Sequence, residues 1–226
     1  MNETRLATRI ASTRATRLAS MAAVTALAAV LGAGPVAAAA QAPAAVARPP
    51  AAPTSPASRQ LAEVVDGYWQ RYLELNPLNA TFQGDSRYDD RLPNSIGEEW
   101  LADALAMHRE YLKRVESIDP DTLSGQDRLT WEIFRRDRRL AIEGFRFQSE
   151  LLPINQMFSL PQLMAQLGSG ASAQPFQTVR DYENWLKRLD GFVVWTDQAI
   201  ANMRRGADRG ITQPRVLMEK IVPQLS

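Results

Sequence analysis

The chain has 226 residues, 45% hydrophobic and 23% charged, with 26 basic against 25 acidic side chains, one histidine and no cysteine. The balanced charge gives no support to a nucleic-acid binder, and the lack of cysteine excludes disulfide scaffolds, cysteine zinc sites and thiol catalysis. A lone His108 also excludes an HExxH helix and any metal centre that takes two imidazoles from this chain.

Residues 1–40 read as a secretory signal peptide. Arg5, Arg9, Arg14 and Arg17 make a positive start, an apolar run covers 18–33, and Ala38-Ala39-Ala40 offers an A-x-A cleavage site before Gln41. The Ser/Thr/Arg-rich start also resembles an organellar transit peptide, but the compact apolar stretch and the alanine site favour secretion. The run is too short, and too broken by Gly32, Gly34 and Pro35, for a membrane span. No cysteine follows it, so no lipid anchor is expected. Removing residues 1–40 takes away four Arg and one Glu, leaving 22 basic and 24 acidic groups, a formal charge of −2. The expected location is periplasmic or secreted. Residues 41–57, rich in Ala and Pro with Pro49, Pro50 and Pro53, predict an extended linker, and 58–226 the helical domain.

That domain reads as helix after helix. Leu61, Val65, Tyr68, Tyr72 and Leu75 share one face of a first helix, which Asn76-Pro77 should stop. A capping box of Ser95 and Glu98 predicts a second helix with an apolar face of Leu101, Leu105, His108, Leu112 and Val115. Ser124 with Asp127 opens a third, facing inward through Leu129, Ile133, Leu140 and Phe147. Thr178 with Asp181 opens a fourth, facing inward through Tyr182, Leu186, Leu189, Val193, Ile200 and Met203, with Gly206 as its stop. Between these last two, 152–175 has room for one short helix near 160–167. No strand pattern appears, so the class is all-α, an irregular multi-helix array rather than a repeat solenoid.

The residues that could carry chemistry have plain structural readings. His108 lies on an apolar face, where a packed ring with a satisfied nitrogen is expected. The run Arg135-Arg136-Asp137-Arg138-Arg139 is answered by Glu132 and Glu143 at helical spacing, which predicts surface ion pairs of Glu132 with Arg136 and Arg139 with Glu143. Asp85, Asp89 and Asp90 lack the order of a calcium loop and should cap turns and be solvated. Trp69, Trp100, Trp131, Trp185 and Trp195 are expected in the core. There is no GxSxG, P-loop or GxGxxG motif. The residues thus offer no catalytic, cofactor-binding or metal site in this chain.

The phrase Asn76-Pro77-Leu78-Asn79-Ala80-Thr81-Phe82-Gln83-Gly84-Asp85-Ser86-Arg87-Tyr88-Asp89 carries the pattern P-x-x-A-T-x-x-G-x-x-R-x-D. It resembles the opening signature of the bacterial family catalogued as domain of unknown function 885. Three later phrases agree in order: Leu123-Ser124-Gly125-Gln126-Asp127-Arg128, Leu152-Pro153-Ile154-Asn155-Gln156-Met157, and Asp181-Tyr182-Glu183 to Arg188-Leu189 leading to Arg205-Gly206, Gly210 and Pro214-Arg215.

The resemblance implies a large, all-helical, often exported protein similar to zinc metallopeptidases of the carboxypeptidase and oligopeptidase type, with a peptide substrate and an HExxPGH-like motif in the second half. No such motif occurs in these 226 residues, and no zinc ligand carries over onto them. The expectation is therefore the amino-terminal helical portion of such a hydrolase, inactive by itself and with zinc implied only for a full-length relative. Val216, Leu217, Ile221 and Leu225, with 151–167 beside them, are expected to be left uncovered in it. The alternative is a non-enzymatic periplasmic helical interaction module.

Overall fold

The structure, a computed structural model, describes residues 55–157 and 159–224, and all of its regular elements are helical. The signal peptide, nearly all of the linker, and Leu225 lie outside the described residues. Seven α-helices run in the order α1 Pro56–Leu75, α2 Pro77–Phe82, α3 Glu98–Glu116, α4 Gly125–Gly144, α5 Leu160–Gly168, α6 Val179–Asp208 and α7 Arg215–Ile221, joined by short helical turns. Among the described residues no helix is long and apolar enough to cross a membrane.

Local chemistry explains most helix ends. Ser55 caps α1, its hydroxyl oxygen accepting from the Ser58 N–H at 3.0 Å, and Pro56 sits where its missing N–H costs nothing. Asn76 ends α1 by donating both its backbone and its side-chain N–H to the Tyr72 carbonyl. Pro77 does more than stop that helix. It opens α2 as first residue, so the signature phrase forms a further helical turn. At α6 the expected box of Thr178 and Asp181 is formed in both directions. The backbone N–H of Thr178 accordingly holds the Asp181 carboxyl below the usual carboxylate range.

Two expected ends differ. The box of Ser95 and Glu98 does not form, because residues 94–97 turn tightly, with the Gly97 N–H on the Asn94 carbonyl, and Gly97 becomes the cap of α3. Gly206 is no stop either: α6 runs on to Asp208, and the left-handed residue just beyond it is Gly210, at φ 72°. Gly206 instead lets the chain approach, since a side chain there would meet the Ile211 carbonyl oxygen at 2.7 Å.

The main core lies where α3 and α4 pack on α1. Leu61, Val65 and Tyr68 of α1 meet Met107, Tyr111 and Val115 of α3 and Trp131 and Phe134 of α4. Each such side chain contributes roughly 1.5–3 kcal/mol when fully buried. The α1 face follows the periodicity, apart from a half-buried Tyr72. In α3 the buried row is Ala104, Met107, Tyr111 and Val115: Val115 is buried as expected, while Leu101, Leu105, His108 and Leu112 are only half-buried beside it. Tyr111 packs against Gly67, where a side chain would meet its hydroxyl at 3.2 Å. Two tryptophans stitch the core to helix ends, Trp100 donating to the Leu75 carbonyl at 2.9 Å and Trp131 to the Val115 carbonyl at 2.8 Å.

In α4 the expected inner face points outward, and in α6 most of it does, although Leu189 packs against the second core cluster as expected and Met203 is half-buried. Leu129, Ile133 and Leu140 are about half exposed and Phe147 more so, while Trp131, Phe134 and Arg138 are buried. Tyr182, Leu186, Val193 and Ile200 are exposed likewise, and α6 buries Arg188, Trp195, Ala199, Asn202 and Gly206. The larger aromatic areas and the close-approach glycines win over the aliphatic rows. The segment expected to be uncovered is partly covered. Ile221, Leu151, Met164 and Leu167 are buried, the last two in a second cluster with Leu92, Trp185 and Phe192, and Val216 stays exposed.

At Gly191 of α6 a methyl group would meet the Leu92 carbonyl oxygen at 2.4 Å, whereas Gly144 faces open space. Gly191→Ala should therefore lose about 1–3 kcal/mol in chemical denaturation, and Gly144→Ala should gain about 0.4–1 kcal/mol. Equal effects would show that α6 does not sit against residue 92.

Candidate functional site

The structure gathers the polar residues of the signature phrase around one side chain. Arg188, on the inner face of α6, has none of its surface exposed. Its guanidinium donates to the Thr81 hydroxyl at 2.6 Å, to the carbonyls of Tyr88 at 3.1 Å and Arg91 at 3.2 Å, and to the Gln174 side-chain oxygen. The Thr81 hydroxyl donates a hydrogen bond to the Asp89 carboxylate at 2.6 Å, and Asp89, also buried, lies 3.7 Å from the guanidinium. Burial pulls Arg188 down to about 10, against the opposing pull of Asp89 and Asp90. It stays charged at neutral pH.

Chemically this is a buried ion-pair node in which one group, the Gln174 Nε2, has no hydrogen-bond partner. Every nitrogen of the guanidinium has a partner, and the Thr81 hydroxyl both donates and accepts. The pattern holds α2, the 85–91 loop, the 174 loop and α6 in register. Sequence reasoning missed Arg188 and Gln174. The available signal was the row Arg188, Trp195, Ala199, Asn202 and Gly206, whose polar and small members conceal an inner face.

The expected site residues are dispersed. The three aspartates do not share a site: Asp85 caps the turn at Ser86 and pairs with Arg87, Asp89 joins the node, and Asp90 pairs with Lys187 at 3.6 Å. Asp89 is thus buried rather than solvated. The arginine run pairs across helices instead of along α4, Arg135 and Arg139 both reaching Glu116 of α3 at 3.0 and 2.6 Å, while Glu132 accepts from Arg128. Burial alone would raise Glu116, but the two guanidiniums hold it below the usual range. Arg138 stacks over the Tyr68 ring at 3.9 Å.

His108 is half-buried, its ring 6.0 Å from Tyr68 and 6.1 Å from Phe145, with Nδ1 3.5 Å from Arg138 Nη1. Arginine only donates, so that nitrogen is an acceptor and the ring is neutral. Burial first, and Arg138 second, push His108 down to about 4. Among the described residues no three His, Asp or Glu side chains lie close enough to hold a metal. A groove of about 300 Å3 between the start of α3 and the end of α4 is lined by Ser95, Trp100, Leu101, Phe145, Ser149 and Glu150 among others, without histidine or lysine.

The sequence model of the family described as "Bacterial protein of unknown function (DUF885)" matches residues 77–226, which include Thr81, Asp89, Gln174 and Arg188. The chain belongs to this family. No curated protein and no solved structure matches it. Within the family match, the opening signature residues Thr81 and Asp89 serve the buried node.

Arg188→Met leaves the Asp89 carboxylate buried without its counter-charge and should cost about 3–5 kcal/mol in chemical denaturation, while Arg188→Met with Asp89→Leu should recover much of it. A single variant as stable as the parent would mean that the node is open to water.

His108 gives a pH prediction free of other histidines. Its unfolded value is about 6.5 and its folded value about 4, so between these the unfolded chain takes up a proton that the folded chain refuses. This group therefore lowers stability as pH falls from about 6.5 to 4 and contributes nothing above that window. The imidazole resonance should titrate near 4, and His108→Gln should flatten the pH dependence of melting in the same window. A midpoint at 6 or above would place the ring in solvent.

Proposed function

We propose that this chain supplies a non-catalytic helical part of an exported protein resembling zinc-dependent peptidases and carboxypeptidases. In this reading it walls a channel for peptide substrate while other residues of such proteins bind the metal. The observation that carries this is the use of the family's opening signature: its hydroxyl and its buried carboxylate are taken up by Arg188 and turned away from solvent. The residues described do not fit a zinc centre either. The one imidazole faces an arginine, and no carboxylate cluster stands near it. No step of hydrolysis is therefore drawn through them. The export reading rests on Arg5 to Arg17, the apolar run and the alanine site.

A second reading, a periplasmic helical interaction module without enzymatic activity, gains support from the apolar rows on the outer faces of α4 and α6.

The full chain, purified in zinc-containing buffer and passed through gel filtration, should carry far less than one zinc per chain by elemental analysis and show no chelator-sensitive peptidase activity. One zinc per chain together with such activity would overturn the proposal.

A further inference from the structure

The outer face of α6 keeps a seven-residue period. Val179, Leu186, Val193 and Ile200 occupy one position of the repeat, and Tyr182, Leu189, Thr196 and Met203 the other, at alternating spacings of three and four. The opposite face of the same helix, through Arg188, Trp195, Ala199, Asn202 and Gly206, is already buried in the fold. The first position of the repeat is open, Val179 being 77% exposed and Leu186 and Val193 60%, whereas at the second only Tyr182 is exposed, Thr196 and Met203 are half-buried and Leu189 packs against the second core cluster. Single apolar residues on a surface need no explanation. A row that holds a 3.5-residue period along most of a 30-residue helix does, because that period keeps one stripe facing a neighbouring helix axis.

Charge narrows the occupant further. Glu183, Asp190 and Asp197 each follow a seam residue by four and are exposed. Among the described residues none of the three has an ion-pair partner, although Lys187 and Arg205 of the same helix are paired with Asp90 and Glu98. At the far end the row changes sign at exposed Arg204. An apolar heptad seam edged by three unanswered carboxylates matches a helix with an apolar stripe and basic flanks.

We propose that the outer seam of α6 docks an amphipathic partner helix whose apolar stripe is flanked by lysine or arginine opposite Glu183, Asp190 and Asp197. This inference goes beyond the peptidase-like reading and stands whether or not that reading holds, since its readout is binding and not hydrolysis.

The probes are two fluorescent four-heptad peptides with leucine at both seam positions, one flanked by lysine and one by glutamate. Mixed with the full chain at low salt, the lysine peptide should bind about tenfold tighter or more than the glutamate peptide, and should weaken as salt screens the charges. Leu186→Ser with Val193→Ser should abolish binding and leave the melting temperature unchanged, because both side chains stand in solvent. Glu183→Lys, Asp190→Lys and Asp197→Lys together should reverse the preference between the peptides. Equal binding of the two peptides, no binding of either, or binding unaffected by these variants overturns the proposal. So does a parent chain that sediments as a dimer while the serine variant is a monomer, since a second copy would then cover the seam, and so does stronger seam-dependent binding to phosphatidylcholine vesicles than to the lysine peptide.

Discussion

A fully buried arginine needs a partner for each of its nitrogens, and the packing of this protein turns on how Arg188 finds them. A charge taken out of water without compensation costs several kcal/mol. Here the compensation comes from four places in the chain: the hydroxyl of α2, two loop carbonyls at 88 and 91, the Gln174 side chain and the Asp89 carboxylate. None of these is near Arg188 in sequence. Their convergence ties α6 to the segment that follows α1, and the family's opening signature is the near wall of that tie. The short helix α2 follows from the same requirement, since Thr81 must sit one turn beyond Pro77 to face both Asp89 and the guanidinium.

Close approach is the companion constraint. The guanidinium reaches the 88–91 carbonyls only if α6 lies against that loop, and at Gly191 it does so within the radius of a methyl group from the Leu92 backbone. One end of α6 is held in the same way at Gly206, where Leu151 and Ile211 come in. Between these contacts Trp195, Ala199 and Asn202 fill the seam, Asn202 donating to the Ile96 carbonyl at 2.9 Å. The inner face of α6 is therefore built from polar, small and aromatic residues. Its aliphatic side is left for water or for another protein.

The other node, Arg138 over Tyr68 with His108 beside it, works by a different balance. Tyr68 sits at the meeting point of α1, α3 and α4, with Tyr111 and Phe134 edge-on to its ring. Stacking a guanidinium on that ring spares part of the desolvation cost, and its charge adds to burial in keeping the neighbouring imidazole neutral. Both arginines look, in isolation, like material for binding an anion or a nucleic acid. Each is instead consumed by the core, and Glu116 of α3 answers Arg135 and Arg139 of the basic run of α4.

Helix formation was legible in the sequence because it is decided within four residues: periodicity placed α1, α3, α4 and α6, the gap between prolines and glycines left room for α5, and the Thr178 box fixed where α6 begins. The all-α class and the family both followed from signals of that range. Facing was a different matter. In α4 and α6 two sides carry apolar residues, and which one turns inward depends on what the neighbouring helices present, information spread over a hundred residues. The row of Leu129, Ile133 and Leu140 lost to Trp131, Phe134 and Arg138 because the aromatic side fits against Tyr68 and Val115. The row of Leu186 and Val193 lost to Arg188 because only that side can reach the carboxylate and hydroxyl of the signature. No local pattern encodes a partner 107 residues away, so the sequence by itself determined the long helices and the buried face of α1, while the tertiary structure decided the short helix at Pro77 and which faces α4 and α6 bury.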